Sequence, residues 1–303
     1  MIRVLGSLNM DLVLSVERHP LPGETLLGGE VRLVCGGKGA NQAAAALAGG
    51  SVSMIGRVGR DHYGEQMRST LEHLGVDVSR VTVVDGSSGM ALIAVDARGQ
   101  NSIIVSPGAN SALGPDDLSA ADLDGVAVIL TQLETPLPAL ERLLELAWLK
   151  GIPVMLNAAP AQRLSEALLR RVSYLVVNEH EAEILSGVAA SDQSGALLAA
   201  QTLSEQGIQH VIVTLGARGV VWYGRHSNGY RQAFKVEPVD TTAAGDAFCG
   251  AMAARLAEGA PLEKAIAFAS AAGALAVTRP GATSSLPSRA QIEVLMSDSG
   301  MTV

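Results

Sequence analysis

Short runs of aliphatic and β-branched residues alternate along the chain with longer stretches in which apolar positions recur every three or four residues. The short runs predict strands buried on both faces, and the 3.6-residue repeats predict amphipathic helices. Residues 126–133 read as a strand, followed by a helix at 136–150 with Leu140, Leu143, Leu144 and Ala147 facing inward and Gly151 closing it. Residues 152–156 and 174–177 are further strands, the second feeding a helix that starts at Glu179. A helix at 191–206, ended by Gly207, leads to a strand at 210–215. Strand, helix, strand in series predicts a mostly parallel sheet with helices on both faces, a three-layer α/β/α fold.

The first hundred residues are patterned differently. Residues 12–16, 28–34, 90–95 and 101–105 are strand candidates with no helix between close neighbours, and turns fall at 20–23 and 96–99. They are expected to form a small β-sheet projecting from the α/β body. No Pro-rich or Ser-rich linker and no internal repeat is visible. Residues 1–303 are therefore expected to be one domain with a lid drawn from about 11–35 and 89–106.

Candidate chemistry sits in five segments. Cys35-Gly36-Gly37-Lys38-Gly39-Ala40-Asn41-Gln42 places three glycines ahead of an alanine-rich helix. There a backbone can approach a ligand and free N–H groups can hold an anion. It is not a P-loop, because Gly39 follows Lys38, nor a dinucleotide fingerprint, because Gln42 stands where the third glycine belongs. An ordinary strand-to-helix turn is the alternative. In Asp240-Thr241-Thr242-Ala243-Ala244-Gly245-Asp246, small residues lead into Asp246 and a helical run at 248–256. Unpaired N–H groups at a helix start hold a phosphoryl group, and an adjacent carboxylate can take a proton from the attacking hydroxyl. The plain alternative is a first-turn carboxylate favoured by the helix dipole. Asn178-Glu179-His180-Glu181 follows a strand, and Asn178 and Glu181 suit either Mg²⁺ beside phosphates or a capping box. Thr214-Leu215-Gly216-Ala217-Arg218-Gly219 is a glycine turn of the kind that lines nucleotide pockets. Asn9 and Asp11, two apart, share a face if the segment after the first strand is extended, and would accept from the hydroxyls of a sugar.

Composition removes several classes. Hydrophobic residues are 48% and charged residues 17%, which excludes disorder. The net charge of −8 leaves no basic footprint for nucleic acid, and 3% aromatics leave no stacking surface for single strands. The two cysteines do not make a disulfide scaffold, and scattered histidines without H-x-x-x-H or C-x-x-C spacing do not suggest zinc. The weakly polar stretch 265–277, which holds Ser270 and Gly273, is too short to span a bilayer, and no signal-peptide pattern opens the chain. A cytoplasmic protein with no membrane partner is expected.

In order, these segments, with Pro22-Gly23-Glu24-Thr25, Gln132-Leu133-Glu134 and Ala276-Val277-Thr278-Arg279-Pro280-Gly281-Ala282, resemble the ribokinase-like family of sugar kinases over nearly the whole chain. The resemblance implies that fold and ATP-dependent phosphorylation of the 5-hydroxyl of D-ribose. It implies Asp246 as general base and the backbone N–H groups of Ala243, Ala244 and Gly245 as an anion hole. Asn9, Asp11, Gly37, Lys38, Asn41, Glu134 and Asp246 would surround the sugar. Asn178, Thr214, Gly216, Gly219, Gly245 and Ser270 would line the nucleotide site, with Glu181 near Mg²⁺ and the phosphates. A monovalent cation, normally K⁺, would sit among Asp240, Thr242, Ala276, Arg279, Gly281 and Ser285, several acting through carbonyls. The lid would pair with a second copy, giving a homodimer. Pro280 beside the cation loop and Ser106-Pro107-Gly108 near the sugar pocket depart mildly from the family pattern. A related kinase acting on deoxyribose, fructose or a nucleoside is the alternative. Tyr63 is the only aromatic before Trp148, which favours a bare sugar over a stacked base. An idle sugar-binding protein is disfavoured by the intact Asp246.

Overall fold

The computed structural model describes residues 1–225 and 227–300. Its strands are β1 (Ile2–Leu5), β2 (Asn9–Ser15), β3 (Val31–Gly36), β4 (Val52–Gly59), β5 (Asp77–Val84), β6 (Gly89–Val95), β7 (Asn101–Ser106), β8 (Val128–Gln132), β9 (Val154–Asn157), β10 (Tyr174–Asn178), β11 (His210–Thr214), β12 (Val220–Gly224) and β13 (Asn228–Arg231). Its α-helices are α1 (Lys38–Ala46), α2 (His62–Leu74), α3 (Leu137–Lys150), α4 (Glu166–Leu169), α5 (Glu179–Ser186), α6 (Gln193–Glu205), α7 (Ala244–Ala257), α8 (Leu262–Ala276) and α9 (Arg289–Asp298).

The main sheet runs β13-β12-β11-β10-β9-β8-β1-β4-β5, parallel except at β12 and β13. Its strands alternate between two apolar layers. Val4, Leu130, Met155, Val176 and Ile212 enter the core beneath α1, α7 and α8, while Leu5, Ile129, Leu156, Val177 and Val213 enter the core beneath α3 and α6. Burial on both faces is why these segments read as unbroken apolar runs. Small residues set the spacing of the first layer. A β-carbon on Gly250 of α7 would lie 2.7 Å from Ala46 N and Gln42 O, so α7 and α1 touch nearly backbone to backbone.

A second, four-stranded sheet has the order β3-β2-β6-β7, with β2 and β6 parallel and the other pairs antiparallel. The strand expected at 12–16 begins earlier, because Asn9 pairs with both Gly36 and Gly89. Asn9 and Asp11 therefore stand on this small sheet, not at the end of the first strand, and their shared face is buried. Gly39, expected ahead of the helix, lies inside α1, whose N-cap is Gly37 at φ 89°. A β-carbon on Gly39 would lie 2.5 Å from Gly6 C and Ser7 N, so the first turn of α1 rests on the end of β1. Strand and helix ends elsewhere fall within four residues of expectation, the widest gap being the helix read at 248–256, which begins at Ala244. Among the described residues no helix is long and apolar enough to cross a membrane.

Candidate active site

Strand order reverses at β1, with β4 and β5 added on one side and β8 to β11 on the other. Such a switch point opens a crevice beyond the carboxyl ends of the strands. Ser7 after β1, Glu134 after β8 and the N-termini of α1 and α7 converge on it. Ser7 Oγ donates to Glu134 Oε2 at 2.5 Å, and Lys38 N donates to the same oxygen at 3.1 Å.

Asp246 lies in the first turn of α7 and is buried. Asn41 Nδ2 donates to its Oδ2 at 3.0 Å and Gln42 Nε2 donates to its Oδ1 at 2.9 Å. Burial pushes the Asp246 carboxyl above the ordinary range, while Lys38 and the two amide donors act against that rise. Burial alone would lower the Lys38 ammonium, yet Asp246, Glu134 and Glu181 hold it above the usual lysine value. The N-cap of α7, Ala243, has φ 59° and ψ 7°, the only non-glycine residue in the left-handed region among those described. Strain of this kind costs about 1–3 kcal/mol and clusters at active sites and ligand clamps. A β-carbon on Gly245 would meet nothing within 4 Å, so open space lies beside that turn.

Asn9 and Asp11 come from the small sheet. Asn110 Nδ2 donates to Asn9 Oδ1 at 2.8 Å and to Leu8 O at 3.1 Å, fixing the Asn9 amide. The Asp11 carboxylate lies over Gly36, where any β-carbon would collide with it. Burial, with Glu134 and Asp246 adding their charges, pushes the Asp11 carboxyl up to about 7.

Asn178 and Glu181 form a reciprocal capping box on α5: Asn178 Oδ1 accepts from Glu181 N and Glu181 Oε2 accepts from Asn178 N, both at 2.8 Å. Burial pushes the Glu181 carboxyl up, and the bond from Asn178 N opposes it. Thr214 ends β11, and its Oγ1 donates to Val177 O at 3.3 Å. Gly216 faces open space, whereas Gly219 packs against the backbone of Arg231. Ser270 stands on α8 and donates to Ile266 O at 2.8 Å.

Asp240 ties two loops together beside the start of α7. Its Oδ1 accepts from Thr242 N at 2.9 Å and Thr242 Oγ1 at 2.6 Å, and its Oδ2 accepts from Gly281 N at 2.9 Å. Burial would raise this carboxyl, but those hydrogen bonds hold it below the usual range. Ser285 is buried and donates to Ala282 O at 2.8 Å, while Arg279 N reaches Ala276 O at 3.4 Å. Cys249 is buried below Asp246, and burial pushes its thiol well up, which removes it as a nucleophile.

Sequence reasoning missed Ser7, Asn110 and Asn157 and gave Gln42 no role. Ser7 lies in the loop after β1, Asn110 in a helical turn after β7 and Gln42 inside α1, so no local pattern marked them.

The fold and this crevice place the chain in the pfkB family of carbohydrate kinases, whose family model matches residues 1–289. It is 42% identical over 292 residues to a ribokinase of Haemophilus influenzae, covering 95% of each chain. It is 38% identical over 301 residues to a deoxyribokinase of Salmonella typhi, covering 98% of each. A ribokinase of Arabidopsis thaliana, solved with ribose and ATP, superposes with a TM-score of 0.90 at 30% identity, over 97% of this chain and 98% of that one.

Proposed function

We propose that the protein transfers the γ-phosphoryl group of ATP to the 5-hydroxyl of D-ribose, giving D-ribose 5-phosphate and ADP. The observation that carries this reading is a buried carboxylate, Asp246, held by two amide donors in the first turn of a helix whose N-cap, Ala243, is strained and whose Gly245 faces open space. Asp246 takes the proton of the attacking hydroxyl, and the N–H groups of Ala243, Ala244 and Gly245 receive the phosphoryl charge. Asn9, Asp11, Gly37, Lys38, Asn41 and Glu134 hold the sugar. Asn178, Thr214, Gly216, Gly219 and Ser270 line the adenine nucleotide. Among the described residues no cluster of three His, Cys, Asp or Glu side chains could hold a metal ion. Glu181 would stand near Mg²⁺ bound to the nucleotide phosphates, where the ion would supply positive charge.

The Asp240 loops suit a monovalent cation, because an anionic carboxylate pins two stretches rich in backbone carbonyls beside the anion hole. Asp240, Thr242, Ala276, Arg279, Gly281 and Ser285 would hold K⁺, which adds positive charge next to the transferring group. The small sheet is a lid on a single kinase domain. On the face away from Asp11, Leu33, Leu12, Leu92 and Ile104 form one cross-strand row, with Leu92 and Ile104 more than half exposed. An exposed apolar row on a sheet supports pairing with a second copy. Two free cysteines suit the reducing cytoplasm.

Purified protein given ATP, Mg²⁺ and K⁺ with ribose, deoxyribose, fructose and adenosine separately should release ADP fastest with ribose; preference for another acceptor would overturn the substrate. Asp246→Asn should lower kcat by roughly 10²–10⁴-fold with ribose affinity retained. A loss under about tenfold would remove Asp246 as the base.

A further inference from the structure

Behind Asp246 stands a chain of carboxamides that phosphoryl transfer does not itself require. Gln42 on α1 is 0% exposed, Gln132 at the end of β8 is 1%, and Asn157 at the end of β9 is 9%. Besides its bond to Asp246 Oδ1, Gln42 Nε2 donates to Asn157 Oδ1 at 3.0 Å. Gln42 Oε1 accepts from Gln132 Nε2 at 2.7 Å, and Asn157 Nδ2 donates to Val176 O of β10 at 3.1 Å. The direction of the chain is fixed at both ends. Turning the Gln42 amide over would set its NH₂ against the Gln132 donor and its oxygen against the carboxylate. Asn41 secures the other carboxylate oxygen and itself accepts from Thr283 Oγ1 at 3.0 Å. A carboxylate held on both oxygens keeps one plane and offers only its remaining lone pairs to a substrate. Buried charge also persists only where charge-assisted hydrogen bonds replace water.

We infer that Gln42 is a positioning residue for phosphoryl transfer: anchored through Gln132 and Asn157 to three strands of the main sheet, it fixes the plane of the Asp246 carboxylate and keeps it an anionic acceptor. The inference rests on the assignment of Asp246 as general base. Gln42 acts through Asp246 alone, so its loss changes kcat and leaves sugar binding in place.

Gln42→Leu conserves bulk and removes both hydrogen-bonding functions. It should lower kcat about 10- to 100-fold, the scale of a lost hydrogen bond to a charged group. KM for ribose should stay within about threefold, because the lost contact matters to the reacting carboxylate and not to ground-state binding. The acidic limb of the kcat profile should move to higher pH, since a carboxylate short of a donor ionises less readily. In an Asp246→Asn background, Gln42→Leu should cost nothing further. Gln132→Leu, which frees the Gln42 amide from one anchor, should produce a smaller change of the same kind and carries the pH test if Gln42→Leu does not fold. An unchanged kcat and pH profile, a raised KM with kcat intact, or the same fold loss in both backgrounds would overturn the inference. If Asp246→Asn alone keeps its turnover, the base assignment fails; if it is inactive while Gln42→Leu is fully active, only the role of Gln42 fails.

Discussion

Gly250→Ala tests whether the contact between α7 and α1 builds the active site. The added β-carbon would stand 2.7 Å from Ala46 N and from Gln42 O, and nearer still to Ala45 Cβ. Ordinary contact begins near 3.4 Å, so the helices must part by roughly 0.7 Å or more. Two of the three blocking atoms are backbone and cannot rotate away. Alanine gains about 1 kcal/mol over glycine in a helix interior. Overpacking a tight core costs about 1–3 kcal/mol. The balance is a loss of about 0–2 kcal/mol, which a urea titration reads through its midpoint. The same displacement carries Asn41 and Gln42 away from Asp246, where their bonds now measure 3.0 and 2.9 Å. Beyond about 3.2 Å an N–H···O bond weakens. Misplacement approaching 1 Å costs on the order of 10²-fold in rate, so kcat should fall by more than tenfold while the protein remains folded. A variant as stable as its parent with unchanged kcat would refute the reasoning, because helix propensity would then have won and the close approach would have no catalytic consequence.

Two further outcomes follow from single residues. Asp11 titrates near 7, so KM for ribose should rise as pH falls from 8 to 6, when the protonated carboxyl loses acceptor capacity; Asp11→Asn should abolish that dependence in steady-state kinetics. Its raised folded value means that the group favours folding most fully below its unfolded value of 3.8, and that this contribution is lost as pH rises through 7. Without sugar, Asp11→Asn should therefore exceed the parent in stability at pH 8, by a margin that shrinks toward pH 5. At Ala243, glycine enters the left-handed region freely but widens the unfolded ensemble, so Ala243→Gly should shift stability by less than about 1 kcal/mol. Ala243→Val places a β-branched residue at positive φ and should cost more than about 1 kcal/mol and most of the activity, measured by urea unfolding and ADP release.

The parts of the fold legible in the sequence were those with one dominant signal. Strands β8 to β11 are buried on both faces and appear as apolar runs, and α3 ends on a glycine in the left-handed conformation. Strand β4 carries Arg57 and two glycines, and β5 alternates polar and apolar residues at the sheet edge, so neither stood out. The segments holding Lys38, Asn41 and Asp246 stood out through their glycines and small residues, but roles for Lys38 and Asn41 came only with the resemblance to the family. Asn178 and Glu181 were legible only as a pair with two possible roles, and their side chains make the capping box in the described structure. The carboxamides of Gln42, Gln132 and Asn157 were not legible. An amide carries no charge, and its partners lie 90 and 115 residues away, brought together only when α1 packs over the sheet.

Strand β2 carries two kinds of work on alternate residues. Asn9 and Asp11 look into the crevice, and Leu12 joins the apolar row on the opposite surface. Because strand side chains alternate with a period of two, slipping β2 by one position against β3 and β6 would send the carboxylate outward and an aliphatic chain into the crevice. The polar lining of the crevice and the apolar outer surface are thus written in the same reading frame, and neither can be redesigned by an insertion or deletion within β2 without overturning the other.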